Sequence, residues 1–328
     1  MRGGQMIISA SRRTDIPAFY SDWFMKRIEE RYLYVSNPMN RRQVSKVILT
    51  PDTVDCIVFW TKDVRPMLDK LELLDNKGFP YYFQYTITSY QSDIEPGLHN
   101  KSGIIPSFQE LSRRIGADRV IWRYDPILIN DKYTVDYHIH WYEAMCKRLK
   151  GYTNKCVISF LDFYTKMKRT MEQLNVREYT KEEIEKLVTS MVQIAYDNHM
   201  VVETCAEKID LEQYGVQHGK CIDDKLISRL IQSPVNVSKD RNQREECGCV
   251  QSIDVGQYST CIHYCKYCYA NDSTLKVTER CKLYDVSSPI LNYVLKGDEN
   301  ITLRDMKSIR SQDCGVQLEL DLEQESSE

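Results

Sequence analysis

The chain has 328 residues, a formal net charge of -3 and no apolar run near the ~20 residues that a membrane-spanning helix needs. That length holds one large domain or two ordinary ones, and the near-neutral charge gives no bulk pull toward nucleic acid or anionic lipid. With no secretory apolar stretch at its start and no membrane partner, the protein is expected in the cytoplasm, where its twelve cysteines stay reduced and their spacing matters more than their number.

Short apolar or aromatic runs alternate with helical patterns through the first part of the chain. Strands are expected at 6–11 (MIISAS), 32–36 (YLYVS), 55–61 (DCIVFWT), 80–88 (PYYFQYTIT), 119–124 (RVIWRY), 155–161 (KCVISFL) and 199–205 (HMVVETC). Asp15 and Pro17 open a helix over PAFYSDWFMKRIEERY, and Thr180 with Glu183 has capping-box spacing ahead of KEEIEKLVTSMVQIAYDN. In that second helix Ile184, Leu187, Val188, Met191 and Ile194 form one apolar face. Seven strands in this rhythm imply an α/β fold, a TIM-like (β/α) barrel that is complete or short of closure, over 1–214. From 215 to 285 the texture is loop-like and cysteine-rich around a short helix near 223–232, and a loop this long calls for a bound metal or cluster to order it. Residues 286–328 form an extension that ends in the acidic LELDLEQESSE, read as disordered.

Polar side chains recur where the expected strands end. The first strand runs into Arg12, Arg13, Thr14 and Asp15, the third into Lys62 and Asp63, the fifth into Arg123 and Asp125, the sixth into Asp162, and the seventh into Glu203, Cys205 and Glu207. Taken singly these are caps and solvated loop residues. Taken together, the three arginines suit a phosphate or carboxylate, and Asp15, Asp125 and Glu203 could pair with them or bind a sugar hydroxyl, so an anionic small molecule is the expected substrate class.

Cys56, Cys146 and Cys156 sit in apolar or helical runs and read as small buried hydrophobes, and Cys314 stands alone. Cys261, Cys265 and Cys268 follow the spacing C-x3-C-x2-C in STCIHYCKYCYAN. Three thiolates on one short loop can each bind an iron of a 4Fe-4S cluster and leave the fourth iron open, whereas structural zinc prefers four ligands. Cys205, Cys221, Cys247 and Cys249 could complete a four-thiolate site holding a second iron-sulfur cluster, or zinc. His218 and His263 are further possible ligands, and Cys281 is a weaker one.

The triplet, with Tyr267 before its last cysteine, resembles the cluster motif of the radical S-adenosylmethionine superfamily. The resemblance implies that Cys261, Cys265 and Cys268 hold a 4Fe-4S cluster, that its open iron chelates S-adenosylmethionine, that reduction yields a 5'-deoxyadenosyl radical, and that Tyr267 lies beside the adenine. Two departures accompany it: that superfamily's cluster loop follows the first barrel strand, whereas this one comes after the last, and no Gly-Gly-Glu follows a second strand. The motifs SASRRTDIPAFY, VFWTKD, WRYDPI, GKCID, NQREECGCVQSIDVGQY and TCIHYCKYCYAN also resemble signatures of an uncharacterised bacterial family of barrel-like proteins with a C-terminal cysteine cluster.

The reading that results is an enzyme using S-adenosylmethionine reductively, with an electron donor as partner and with Arg12, Arg13, Asp15, Arg123, Asp125 and Glu203 binding cofactor or substrate. Its rival is a non-catalytic or electron-transfer protein in which a cluster or zinc folds the C-terminal segment to present a nucleic-acid or protein surface. A hydrolase or lyase with a structural cluster is a third. The basic runs KRLK (147–150) and KMKR (166–169) read as solvated helix faces rather than a nucleic-acid site, and there is no P-loop, dinucleotide-binding fingerprint or H-E-x-x-H motif.

Overall fold

Runs such as CIVFWT and YYFQYT carry apolar or aromatic side chains at nearly every position, the pattern of parallel strands covered on both faces. The computed structural model describes residues 6–162, 165–305 and 308–310. In chain order the elements, short 3-10 turns apart, are β1 (Ile7–Ala10), α1 (Ile16–Phe19), α2 (Ser21–Glu30), β2 (Tyr32–Ser36), β3 (Gln43–Ile48), β4 (Cys56–Thr61), α3 (Leu71–Lys77), β5 (Tyr81–Thr86), α4 (Ile104–Ile115) and β6 (Val120–Ile127). They continue with α5 (Val135–Leu149), β7 (Lys155–Phe160), α6 (Lys168–Gln173), α7 (Lys181–Asp197), β8 (Val201–Thr204), β9 (Gln217–His218), α8 (Asp224–Ile231), β10 (Ile253–Asp254), α9 (Thr274–Cys281) and β11 (Asn300–Leu303).

One sheet holds eight strands in the order β10-β1-β4-β5-β6-β7-β8-β9, and every neighbouring pair in it is parallel. Because side chains alternate along each strand, the sheet buries two different sets. Ile8, Phe59, Phe83 and Trp122 pack with Trp23 and Phe24 of α2, Phe108 of α4, Tyr142 of α5 and Leu187 of α7 in the main core. Ile7, Val58, Tyr82, Ile121 and Val157 pack instead against Ile222, Leu226, Ile227 and Val250. The βα helices thus line one face, as in a barrel, while α8 and the loop after it cover the other.

Of the two forms expected, complete or short of closure, the complete ring is not formed: among the described residues no ladder joins β9 to β10. A second correction concerns β2, expected in the main array. It pairs antiparallel with β3, which the sequence reading missed, and parallel β11 completes a separate three-stranded sheet. Gln43, Ser45 and Lys46 make β3 too polar to read as a strand, and β2 buries only Leu33 and Ser36 of its five residues. The first long helix divides at Tyr20 into α1 and α2. α7 starts as its sequence dictates: Thr180 Oγ1 accepts from Glu183 N–H at 3.2 Å and Glu183 Oε2 accepts from Thr180 N–H at 3.0 Å. Cys56, Cys146 and Cys156 are fully buried as expected. Cys314 and the acidic tail lie outside the described residues.

Residues 215–285 supply both edge strands of the main sheet. β10 pairs with β1 through Ile8–Ile253 and Ser9–Asp254, so the last strand of the sheet in sequence stands beside the first. Parallel strands all end on the same side, and the polar turns after β1, β4, β5, β8 and β10 therefore meet on one rim.

Candidate metal and cofactor site

The triplet loop begins a few residues after β10 and is clamped from two sides. Asp15, at the N-cap of α1, accepts from Ala18 N–H at 3.0 Å through Oδ1, and through Oδ2 from Lys62 N–H at 2.7 Å, with His263 Nε2 at 2.8 Å. His263 is 3% exposed, and its Nδ1 is buried without a partner. On the other side the loop after β5 packs against the triplet: Gly97 N–H donates to His263 C=O at 2.9 Å and Lys266 N–H to Ile94 C=O at 2.9 Å. Gly97 is required there, since a Cβ would stand 2.4 Å from the Ile262 carbonyl oxygen.

Glu95, fully buried, joins these pieces. It accepts from Lys62 Nζ at 2.7 Å, Thr88 Oγ1 at 2.7 Å, Tyr267 OH and Lys101 Nζ. Burial would raise its pKa, but Lys62 and Lys101 outweigh that and hold it at about 2. Lys62 also lies 5.6 Å from the Tyr267 ring centroid, and Tyr267 packs on Tyr90 at 5.9 Å. Burial pushes the Cys265 thiol up to about 12 although Lys62 favours its thiolate, and burial likewise raises Cys261 and Cys268. The three thiols stand close enough to act on one another electrostatically.

A second group of thiols lies on the face of the sheet opposite the βα helices. Cys205 Sγ is 2.9 Å from Cys221 Sγ, and Cys249 is hydrogen-bonded to both Cys221 and Cys247. No described cysteine is in a disulfide. Cys221 is pinned to the centre of the sheet: Tyr82 OH donates to its carbonyl at 2.7 Å, Gln84 Nε2 to the same oxygen at 2.9 Å, and Arg123 Nη1 to its sulfur at 2.8 Å. Hydrogen bonds from Cys221 lower the Cys205 pKa to about 7, with Arg123 assisting against burial. Hydrogen bonds from Cys221 and Cys247, with Arg12 nearby, push Cys249 down, while the donors Cys221 and Cys247 are pushed up. The four sulfurs form a chain of contacts rather than a cage, and among the described residues no three His, Cys, Asp or Glu side chains make a ready metal-holding group.

Two cationic paths connect the thiol groups. Arg12 lies 5.3 Å from the Trp60 ring centroid, and burial opposes its charge while Cys249, Asp254 and Cys221 favour it. Tyr269, next to Cys268, donates to the Arg12 carbonyl at 3.2 Å. On the other path Lys62 feels both Cys265 and Asp125, and Asp125 holds the Arg123 guanidinium through Nε at 3.1 Å and Nη2 at 2.5 Å.

Other expected residues are committed elsewhere. Glu203 pairs with Lys155 at 2.6 Å, Asp63 with Arg65 at 2.6 Å, and Asp162 with Arg244. Glu207 accepts from the Phe160, Lys208 and Ile209 amides. His218 contacts Thr204 Oγ1 at 3.2 Å, and Cys281 contacts Tyr20 OH at 3.3 Å. Of the basic runs, Lys166 reaches the Tyr269 carbonyl and Lys147 pairs with Glu143 at 2.5 Å. Sequence reasoning missed Glu95, Gln84 and Asp254. Gln84 was open to detection, as a polar residue inside the otherwise apolar YYFQYT. Asp254 accepts from Ser9 Oγ at 2.9 Å, Ser11 Oγ at 2.6 Å, Arg12 N–H at 2.9 Å and Gly256 N–H at 3.0 Å, which ties β10 to the turn after β1.

An open parallel α/β sheet, helices on one face and a cysteine-rich cap on the other, is the class of protein these features define. The chain belongs to the family described as "Domain of unknown function (DUF1848)", whose model matches residues 7–270. No curated protein matches it.

Proposed function

We propose that this is an iron-sulfur enzyme of the radical S-adenosylmethionine kind, with Cys261, Cys265 and Cys268 holding a 4Fe-4S cluster and a second thiolate centre at Cys205, Cys221, Cys247 and Cys249. The observation that carries this reading is topological. The triplet comes late in sequence, yet its loop follows edge strand β10, which stands beside β1, so in space it follows the first strand of the sheet. In this reading the open sheet is a (β/α) barrel short of closure, rearranged so that its first strand is supplied last. The turn after β1, where Ser11 and Arg12 meet Asp254, takes the place beside the cluster loop.

When bound, such a cluster would supply the electron for reductive cleavage of S-adenosylmethionine, drawn from an external donor. The chain's own residues do the positioning. Asp15 and Glu95 fix the two sides of the triplet loop, Glu95 orients Tyr267 and Lys62, and the buried rim limits access of water. The second site fits a thiolate-bound iron-sulfur cluster or zinc in donor chemistry: four soft ligands around such a centre leave a net dianion, which the Arg12 and Arg123 guanidiniums offset. Pinned by Tyr82 and Gln84 against the sheet, it reads as structural. An anionic small-molecule substrate and a reducing, cytoplasmic setting complete the proposal.

The test is anaerobic purification and reconstitution, with iron, sulfide and zinc analysis of the intact chain and of Cys265→Ala and Cys221→Ala. The reading expects iron and sulfide in the intact chain, a cluster spin signal changed by S-adenosylmethionine, and 5'-deoxyadenosine on adding reductant. A chain that takes up zinc but no iron overturns it, as does a cluster whose signal ignores S-adenosylmethionine and yields no cleavage.

A further inference from the structure

A cavity of about 440 Å³, lined by no cysteine, lies between the edge strand β10 and the three-stranded sheet. That is the volume of a small-metabolite site. The small sheet turns one face toward it, and that face changes character along its length. Leu33 and Val47, a cross-strand pair, are buried in the main core. Further along, the same face presents the pairs Ser45–Thr302 and Gln43–Asn300, all four of which line the cavity. A face that only had to pack on β10 would have stayed apolar.

The charges are arranged for an anion. Arg13 and Arg304 both line the cavity. Among the described residues the Arg13 side chain has only long contacts, 3.8 Å to Asp254 and 3.4 Å to the Gly256 carbonyl, with its guanidinium 5.0 Å from the Tyr258 ring centroid. Among the described residues the Arg304 side chain meets no carboxylate within ion-pair distance. The one carboxylate on the wall, Asp254, already accepts four short hydrogen bonds from Ser9, Ser11, Arg12 and Gly256, which offset its charge. Ser252 lines the same cavity, and its Oγ is buried without a partner.

We infer that this cavity binds a small hydroxyl-rich molecule carrying an oxyanion, the anion held by Arg13 and Arg304 and the hydroxyls by the Gln43, Ser45, Asn300 and Thr302 side chains. None of these residues is a proposed metal ligand. Isothermal titration calorimetry of the full chain tests it with four probes: ribose 5-phosphate, inorganic phosphate, gluconate and ribose. Ribose 5-phosphate or gluconate is expected to bind more tightly than phosphate, and ribose not measurably; which of the two binds more tightly identifies the oxyanion as phosphate or carboxylate. Arg304→Gln, on an exposed position that leaves the core alone, is expected to weaken binding about tenfold or more, as is Arg13→Gln. Raised salt is expected to weaken it as well. The inference is overturned if no anionic probe binds at millimolar concentration. It is equally overturned if ribose binds as well as ribose 5-phosphate, or if Arg304→Gln with an unchanged melting temperature binds as the parent does.

Discussion

Replacing Glu95 by Gln removes one charge from a fully buried group while keeping its shape. Lys62 Nζ, 12% exposed, then loses the one carboxylate within ion-pair distance of it among the described residues, and Lys101, 32% exposed, keeps partial access to water. The fall of the Glu95 pKa from 4.5 to about 2 corresponds, at about 1.4 kcal/mol per pH unit, to roughly 3–4 kcal/mol of stabilisation at neutral pH. Removing one partner of a buried ion pair costs a similar amount, about 3–5 kcal/mol, because the remaining charge stays desolvated. Lys101 can swing toward solvent, which favours the lower figure. Urea unfolding of parent and Glu95→Gln at neutral pH is therefore expected to differ by about 3 kcal/mol. The folded pKa lies below the ordinary one, so the contribution is fully present above pH 4.5 and drains away as pH falls toward about 2. The gap between the two proteins should close over that window. A gap under about 1 kcal/mol at neutral pH, in the range of an exposed ion pair, would refute the assignment of Glu95 as the ionised hub.

Three further outcomes follow from the same contacts. Gly97→Ala places a methyl 2.4 Å from the Ile262 carbonyl oxygen and should cost about 1–3 kcal/mol, with faster amide exchange across the triplet loop; unchanged exchange there would mean that the two loops do not pack as described. On the proposed function, in which both thiol groups hold metal, Cys221→Ala should lower the metal content of the second group while leaving the triplet's share, whereas loss from both would show that they fold together. Thr180→Ala removes the α7 capping box and should lower stability by about 1 kcal/mol in chemical denaturation without changing metal uptake.

The main strands were legible because they are covered on both faces: continuous runs such as CIVFWT leave no other assignment. The edges were not, and the reason is local. β9 and β10 are two residues each, set among polar side chains, and their pairing is decided by tertiary contacts such as the four donors around Asp254. The same limit hid β3, whose polar face serves a cavity rather than a core. At the site, residue type was informative and pairing was not. The spacing of Cys205, Cys221, Cys247 and Cys249 suggested one group, and the structure brings them into one chain of contacts. Glu203, chosen for its charge at a strand end, is instead taken by Lys155. Glu95 sits in a loop whose sequence, QSDIEPG, gives no sign that two lysines converge on it.

Sequence order and spatial order diverge most at β10, and that divergence bears directly on the chemistry. A triplet after the last strand looks misplaced only while the strands are counted along the chain. Counted across the sheet, β10 comes first, its loop opens onto the rim, and the next turn is the one after β1, where Asp254 accepts from Ser11 and Arg12. Arg12, in that turn, interacts electrostatically with Cys249 of the second thiol group, while Lys62, in the turn after β4, interacts with both Cys265 and Asp125. Three consecutive strands of the sheet, β10, β1 and β4, thus deliver the triplet loop and the two cations between the thiol groups. Moving β10 to the opposite edge would separate the triplet from both cations and leave the second group without Arg12, so the pairing of β10 with β1 is what brings the triplet loop to Lys62 and Cys249 to Arg12.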